Sequence, residues 1–236
     1  MNNVLTIFRR EMRSYFNSPV AYIVITLFLL ISGYFFSSTL FLINSADLRS
    51  LFNISSFVLM FFIPAVTMRL LAEERRSGTI EILVTMPVKD SEIVLGKFLA
   101  AFALTALSIL LTFVAYLTVA SLGNADFGAS FGGYLGLLLM SAVYISIGVF
   151  TSSLTQNQIV AFIVGFVIIF ALFMLDKVLP FLPAALASAF EFLSIDYHFR
   201  NISRGVIDTR DLIYYGSMIF LFIYLAVKTT ESRKWR

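Results

Sequence analysis

Long apolar runs separated by short polar joints dominate the chain. They extend from Val20 to Ile43, Leu51 to Leu71, Phe98 to Leu122, Phe131 to Leu154, Ile159 to Leu175 and Leu212 to Val227. A helix needs about 20 mostly apolar residues to cross a hydrocarbon core of roughly 30 Å, so the pattern predicts six transmembrane helices and an all-α polytopic fold. The fifth and sixth runs are short by that measure and extend into their polar flanks, through Asp176 and Lys177 and through Thr229 and Thr230. The stretch VLPFLPAALASAFEFLSI, Val178 to Ile195, is also apolar, but it holds Pro180, Pro183 and Glu191. Proline removes hydrogen bonds that lipid-exposed backbone must make, and the glutamate shortens the run, so short helices at the membrane surface are expected there.

Ahead of the first run, Val4, Phe8, Met12, Tyr15 and Phe16 fall near one helical face, with Arg9 and Arg13 one turn apart elsewhere. This predicts an amphipathic helix over residues 1–18 lying in the interface, Phe8 and Phe16 toward lipid and Arg9 and Arg13 toward water. Asn17 and Ser18 break it, and Pro19 is placed to start the next helix. Residues 72–97 are different again, because nine charged side chains stand between two apolar runs: Glu73, Glu74, Arg75, Arg76, Glu81, Lys89, Asp90, Glu92 and Lys97. Inside this segment Ile80, Ile82, Leu83, Val84 and Met86 form an apolar block. A helix capped by Thr79 after Gly78 is expected, with Glu81 in its first turn where the helix dipole favours an anion, ending at Met86 and Pro87. A second helix, capped by Asp90 or Ser91 with Glu92 near its start, would continue into the third span. A compact helix with a partly apolar surface suits docking into a groove on a soluble partner.

Composition agrees with the pattern. Of 236 residues 59% are hydrophobic and 13% charged, against about 25% charged in ordinary globular domains, and the mean hydropathy is +0.92; this is an integral membrane protein. The leading residues MNNVLTIFRREMRSYF lack the apolar core and small-residue cleavage site of a secretory signal, so no cleaved segment is expected. The pI near 9.2 is read as Lys and Arg retained at cytoplasmic ends rather than as nucleic-acid binding. With six spans and both termini inside, twelve Lys and Arg fall in cytoplasmic segments and five (Arg49, Lys177, Arg200, Arg204 and Arg210) in outer ones. The expected location is therefore the cytoplasmic (inner) membrane, with residues 176–211 outside and 72–97 inside. No fixed-period repeat is visible, so residues 1–236 read as a single domain.

The absences narrow the chemistry. No cysteine is present, which excludes disulfides, thiolate metal sites and a thiol nucleophile. Charges are missing from the middle of every run, which counts against a proton-coupled carrier and an intramembrane hydrolase. The single histidine, His198, offers too few ligands for a metal and reads as a surface or interfacial residue. The phosphate-cradling pattern G-x-x-x-x-G-K-[ST] is absent: Leu95-Gly96-Lys97 is followed by Phe98, and Ser91 stands where the first glycine belongs. The chain is therefore expected to be no enzyme and to hold no cofactor of its own. In FGGYLG, Gly132 and Gly136 are spaced to permit close helix contact.

The order AEERRSGTIEILVTMPV followed by SEIVLGK resembles the cytoplasmic loop of the ABC-2 family of transporter permeases, in particular the gliding-motility (Gld-type) branch. FRREMRSYFNSPVAYI is similar to that family's amphipathic leading helix, SSLTQNQIVAFI to its short loop before the fifth span, and FRNISRGVIDTRDLIYY to the approach to its sixth. The resemblance covers nearly the whole chain. It implies a permease subunit that pairs with a second copy or a homologue and docks on two ABC ATPase subunits carrying MgATP, so that hydrolysis in the partners drives export or mechanical transduction. It also implies that Glu73, Glu74, Gly78, Thr79, Glu81, Leu83 and Pro87 form the coupling element, and that an auxiliary protein with a large periplasmic domain belongs to the assembly. The competing readings are a membrane anchor that recruits proteins without moving substrate, and a channel or secondary carrier.

Overall fold

A computed structural model describes residues 3–42, 47–78, 88–123, 126–178, 183 and 190–232. Among these there are ten helices of at least eight residues and no strand: α1 (Asn3–Asn17), α2 (Pro19–Leu42), α3 (Arg49–Thr67), α4 (Arg69–Arg76), α5 (Asp90–Leu111), α6 (Phe113–Leu122), α7 (Phe127–Leu154), α8 (Gln158–Val178), α9 (Ile195–Ser203) and α10 (Thr209–Ser232). Two pairs, α3 with α4 and α5 with α6, each make one apolar rod with a local break, at Met68 and at Thr112. Six rods are thus long and apolar enough to cross a membrane: Pro19–Leu42, Arg49–Arg76, Asp90–Leu122, Phe127–Leu154, Gln158–Val178 and Thr209–Ser232. The protein is an all-α polytopic membrane protein.

The fourth span, α7, is the axis of the bundle. It packs against α3, α5, α8, α9 and α10, and 78% of its most apolar window is buried, against 22% for the first and fifth spans. Its small residues explain this, since without a hydrophobic force between helices in lipid, close approach and side-chain packing must hold them together. Gly132 illustrates the closeness: a Cβ there would lie 2.1 Å from the Ile202 carbonyl oxygen on α9, while one on Gly136 would meet the Phe199 ring. The FGGYLG spacing thus seats the short helix α9 rather than another span.

Helix α9 is fixed from three sides. Ser194 caps its first turn by accepting from the Tyr197 amide at 3.3 Å. From the sixth span, the Tyr214 and Tyr215 hydroxyls donate to the carbonyls of Leu193 (2.7 Å) and Ile195 (3.1 Å). His198 is not the surface residue that its isolation in the sequence suggests. It is only 3% exposed, stacks on Tyr214 with ring centroids 4.0 Å apart, and has Nδ1 2.6 Å from Asp211 Oδ1 and Nε2 3.0 Å from the Phe192 carbonyl. The reason lies in the fold: α9 turns inward onto α7 and α10, where a ring with two polar atoms finds both of them a partner.

At the other end of the bundle, the helices outrun the apolar runs. Span two continues through the charged residues to Arg76, and Gly78, at φ +72°, supplies the left-handed turn that ends it. Span three starts at Asp90 with Lys89 as its cap residue, not Asp90 or Ser91, and the Glu92 carboxylate reaches back to accept from the Lys89 amide at 2.8 Å. Residues 79–87, which hold the expected coupling helix, lie outside the described residues.

Candidate functional site

The amphipathic helix α1 runs along α5. Ile7 and Tyr15 are buried, Phe8, Met12 and Phe16 pack against the core, and Arg9 and Arg13 are exposed. Its contact with α5 is made at Gly96, where a Cβ would fall 2.7 Å from Ile7 Cγ2. The face read from the sequence therefore meets protein along the third span, and the LGK tripeptide has a structural role: the glycine seats α1, and the next residue turns into the joint.

That residue is Lys97, whose side chain is 1% exposed. Its Nζ lies 3.0 Å from Glu11 Oε1 on α1 and 2.9 Å from Glu74 Oε1 on α4. Arg10 Nη2 lies 2.7 Å from each of the same two oxygens. Two cations and two carboxylates thus form a closed, neutral square that joins three helices. Burial alone would raise the Glu11 carboxyl, but Lys97 and Arg10 outweigh it and hold it below the ordinary carboxylate value. A cavity of about 360 Å3 opens beside the square, lined also by Ser14, Tyr15, Ser18, Arg69, Leu70 and Glu73. Both carboxylates of the square are committed to cations, so the arrangement is suited to transmitting force rather than to moving protons. Among the described residues no cluster of histidine and carboxylate side chains has the makings of a metal site.

Of the residues expected to couple, the structure brings Glu74 into the square and Glu73 to its cavity, and gives Gly78 the turn that ends α4. Thr79, Glu81, Leu83 and Pro87 lie outside the described residues. Arg10, Glu11 and Lys97 escaped the sequence reading. A usable signal existed for Lys97: Ile93, Val94, Ala100 and Ala101, one turn away on either side, are all apolar, so a lysine there must find its anions on another segment.

A second joint connects the square to the membrane core. At the Met68 break no side chain of span two caps α4. Ser152 of α7 does so instead: its hydroxyl accepts from the Leu71 and Ala72 amides at 3.0 and 3.1 Å and donates to the Met68 carbonyl at 2.9 Å. Removing this hydroxyl strands buried backbone groups at about 1–3 kcal/mol each, less whatever the local chain recovers. Ser152→Ala is therefore expected to cost about 2–3 kcal/mol and lower the melting temperature by roughly 5–10 °C, read by thermal unfolding in nanodiscs. An unchanged melting temperature would mean that α3 and α4 close their own hydrogen-bond ladder.

A sequence model of the family described as ABC-2 family transporter protein matches residues 44–229. The match takes in the second to fifth spans and all but the last three residues of the sixth, together with Glu74, Lys97 and Ser152, while α1 lies ahead of it. No curated protein matches the chain.

Proposed function

The chain belongs to the ABC-2 family of transporter proteins, and from that premise we propose that it is the permease subunit through which a partner ATPase drives export or mechanical work across the cytoplasmic membrane. As a member of this family it is a transmembrane component rather than the nucleotide-binding subunit. The observation that carries the coupling role is the Lys97 square, in which Glu74 and Lys97 sit on the two helical stems that lead into and out of residues 79–87, held together at 2.9 Å. In this reading two ABC ATPase subunits, carrying MgATP, dock on that segment. Closure of the ATPases displaces both stems together, because the ion pair prevents them from separating, and α1 moves with them through Glu11 and the Gly96 seat. The Met68 joint lets α4 swing against α3, and Ser152 passes the motion to the central span. A second permease copy or homologue completes the translocation unit, since the apolar middle of one bundle offers no polar path.

The twelve-to-five excess of Lys and Arg supports cytoplasmic termini and, with them, a cytoplasmic position for the square. The motif resemblance to gliding-motility permeases supports a mechanical transducer with an auxiliary periplasmic protein as the more specific form. The test is co-purification of the partner ATPase and its rate in lipid. Each large apolar side chain of a docking helix contributes about 1–3 kcal/mol, so Leu83→Asp, which also puts a carboxylate in that contact, should weaken recruitment strongly, while Glu81→Gln should keep recruitment and reduce the permease-dependent ATPase rate. Normal recruitment and normal rate in a correctly inserted double variant would reduce residues 79–87 to a connector. An ATPase that never binds would leave a membrane anchor as the better reading.

A further inference from the structure

At the end of the bundle opposite the Lys97 square, a cavity of about 190 Å3 lies between the start of α3 and the C-terminal half of α9. It is lined by Arg49, Phe52, Asn53, Arg200, Ser203 and Arg204. We infer that this cavity binds a phosphate group, as a phospholipid headgroup or a soluble phosphate ester. Cationic residues are scarce on this side of the chain, five in the outer segments, yet three of them converge here, and no acidic side chain lines the wall.

The arginines are not used up by internal pairing. Arg204 makes no ion pair among the described residues. Among the described residues Arg49 makes an ion pair with Asp47 alone, at 3.7 Å with both side chains exposed, a geometry that holds a guanidinium loosely. Arg200 is bonded to Asp176 and lies 3.9 Å from Asp196, but both of these carboxylates also serve Lys177, at 3.3 and 2.7 Å. That group of two acids and two bases is neutral, and so is the Asp47–Arg49 pair, which leaves the Arg204 charge uncompensated beside the cavity. Guanidinium groups present forked donors that match a phosphate in two-point contacts. Asn53 adds amide donors on the first turns of α3, where the helix dipole favours an anion.

The walls are also fixed before any ligand arrives. The last turn of α9 rests on the space left by Gly132, with the Ile202 carbonyl in that gap, so the backbones carrying Arg200 and Arg204 are pinned to the central span. The floor, Phe52, is 3% exposed and packs edge to face on Tyr134 at 5.1 Å. Its apolar surface suits the carbon atoms of a glycerol next to the phosphate better than a free monatomic ion. Arg49 opens span two and so stands at headgroup depth, which makes a phospholipid accessible sideways and a soluble ester accessible from water.

The proposal does not depend on ATPase coupling, and the experiment keeps the two apart. The full chain is purified into nanodiscs of phosphatidylcholine with or without phosphatidylglycerol, as wild type, as the Arg49→Gln/Arg204→Gln double variant, and as Arg210→Gln, an exposed arginine nearby that does not line the cavity. Native mass spectrometry after detergent release reads retained phosphatidylglycerol, and thermal shift in pure phosphatidylcholine reads glycerol 3-phosphate. Losing two charge-assisted contacts should weaken binding at least roughly tenfold. Retention of phosphatidylglycerol by wild type and Arg210→Gln but not by the double variant identifies the lipid as source. A glycerol 3-phosphate shift with the same pattern identifies the soluble ester. The double variant should melt at the wild-type temperature without ligand, since both side chains are exposed. Equal retention and equal shifts in all three proteins would overturn the site.

Discussion

Lys97→Met is expected to lower the stability of the protein by about 3–5 kcal/mol, the usual effect of removing one partner from a buried ion pair. The carboxylates of Glu11 and Glu74 both face Lys97 and are only 13% and 16% exposed. Without the lysine, two negative charges confront each other across the space it filled, beside the half-exposed Arg10. A melting temperature lower by roughly 10 °C is the direct measurement. The triple variant Glu11→Gln/Glu74→Gln/Lys97→Met removes the three most shielded charges of the square together and should recover most of the loss, because the one charge left without a partner, on Arg10, is half-exposed and can be solvated. Its permease-dependent ATPase rate should nevertheless stay low if the square transmits motion between the stems. A single Lys97→Met variant as stable as wild type would sink the reading of the square as a buried, mutually dependent set.

The second large effect is expected at the opposite end. The Nε2 atom of His198 faces a carbonyl, which only accepts, so that nitrogen carries a hydrogen. Nδ1 faces the Asp211 carboxyl at 2.6 Å, and the contact requires one further proton shared by the pair. His198→Leu takes away the donor and leaves Asp211 buried at 3% exposure, with Oδ2 already lacking a hydrogen-bond partner among the described residues. A loss of about 3–5 kcal/mol is expected. Asp211→Asn should cost less, since its amide N–H can donate to Nδ1 and it carries no charge. The His198→Leu/Asp211→Leu pair should be more stable than His198→Leu alone. Denaturation of the three variants in one detergent distinguishes them, and equal stability of the single histidine variant and wild type would contradict the buried pair.

The apolar runs were enough to read all six spans, because spanning length is a property of local composition. The ends of the helices were not legible in the same way. Glu73 through Arg76 look like loop by charge, yet they continue the second span because the Lys97 square and α1 pair and shield them, whereas the helical start near Asp90 was legible from its polar first turn. The break at Met68 has no local punctuation beyond Pro64, four residues earlier; what sustains it is a hydroxyl 84 residues away in sequence, and no window along the chain contains both. The glycine spacing in FGGYLG correctly signalled a close approach, but which surface would fill it depended on the turn that brings Ile202 and Phe199 inward. For the site, Glu73, Glu74 and Gly78 came from the motif resemblance, whereas Arg10 and Glu11 join Lys97 only in three dimensions, since 86 residues separate Glu11 from the lysine.

Chain order adds a consequence in the time of synthesis. Glu11 and Glu74 leave the ribosome before Lys97 does, so when the third span inserts, the two carboxylates that neutralise its lysine are already at the membrane. The costliest charge in the bundle never has to wait alone. Helix α1, made first, does have to wait: its seat at Gly96 is translated some eighty residues after α1 is finished, and until then its apolar face has only the lipid surface to lie on. The amphipathic pattern that reads as a membrane-surface helix thus describes an early stage of the helix's life, and the packing against α5 describes its last.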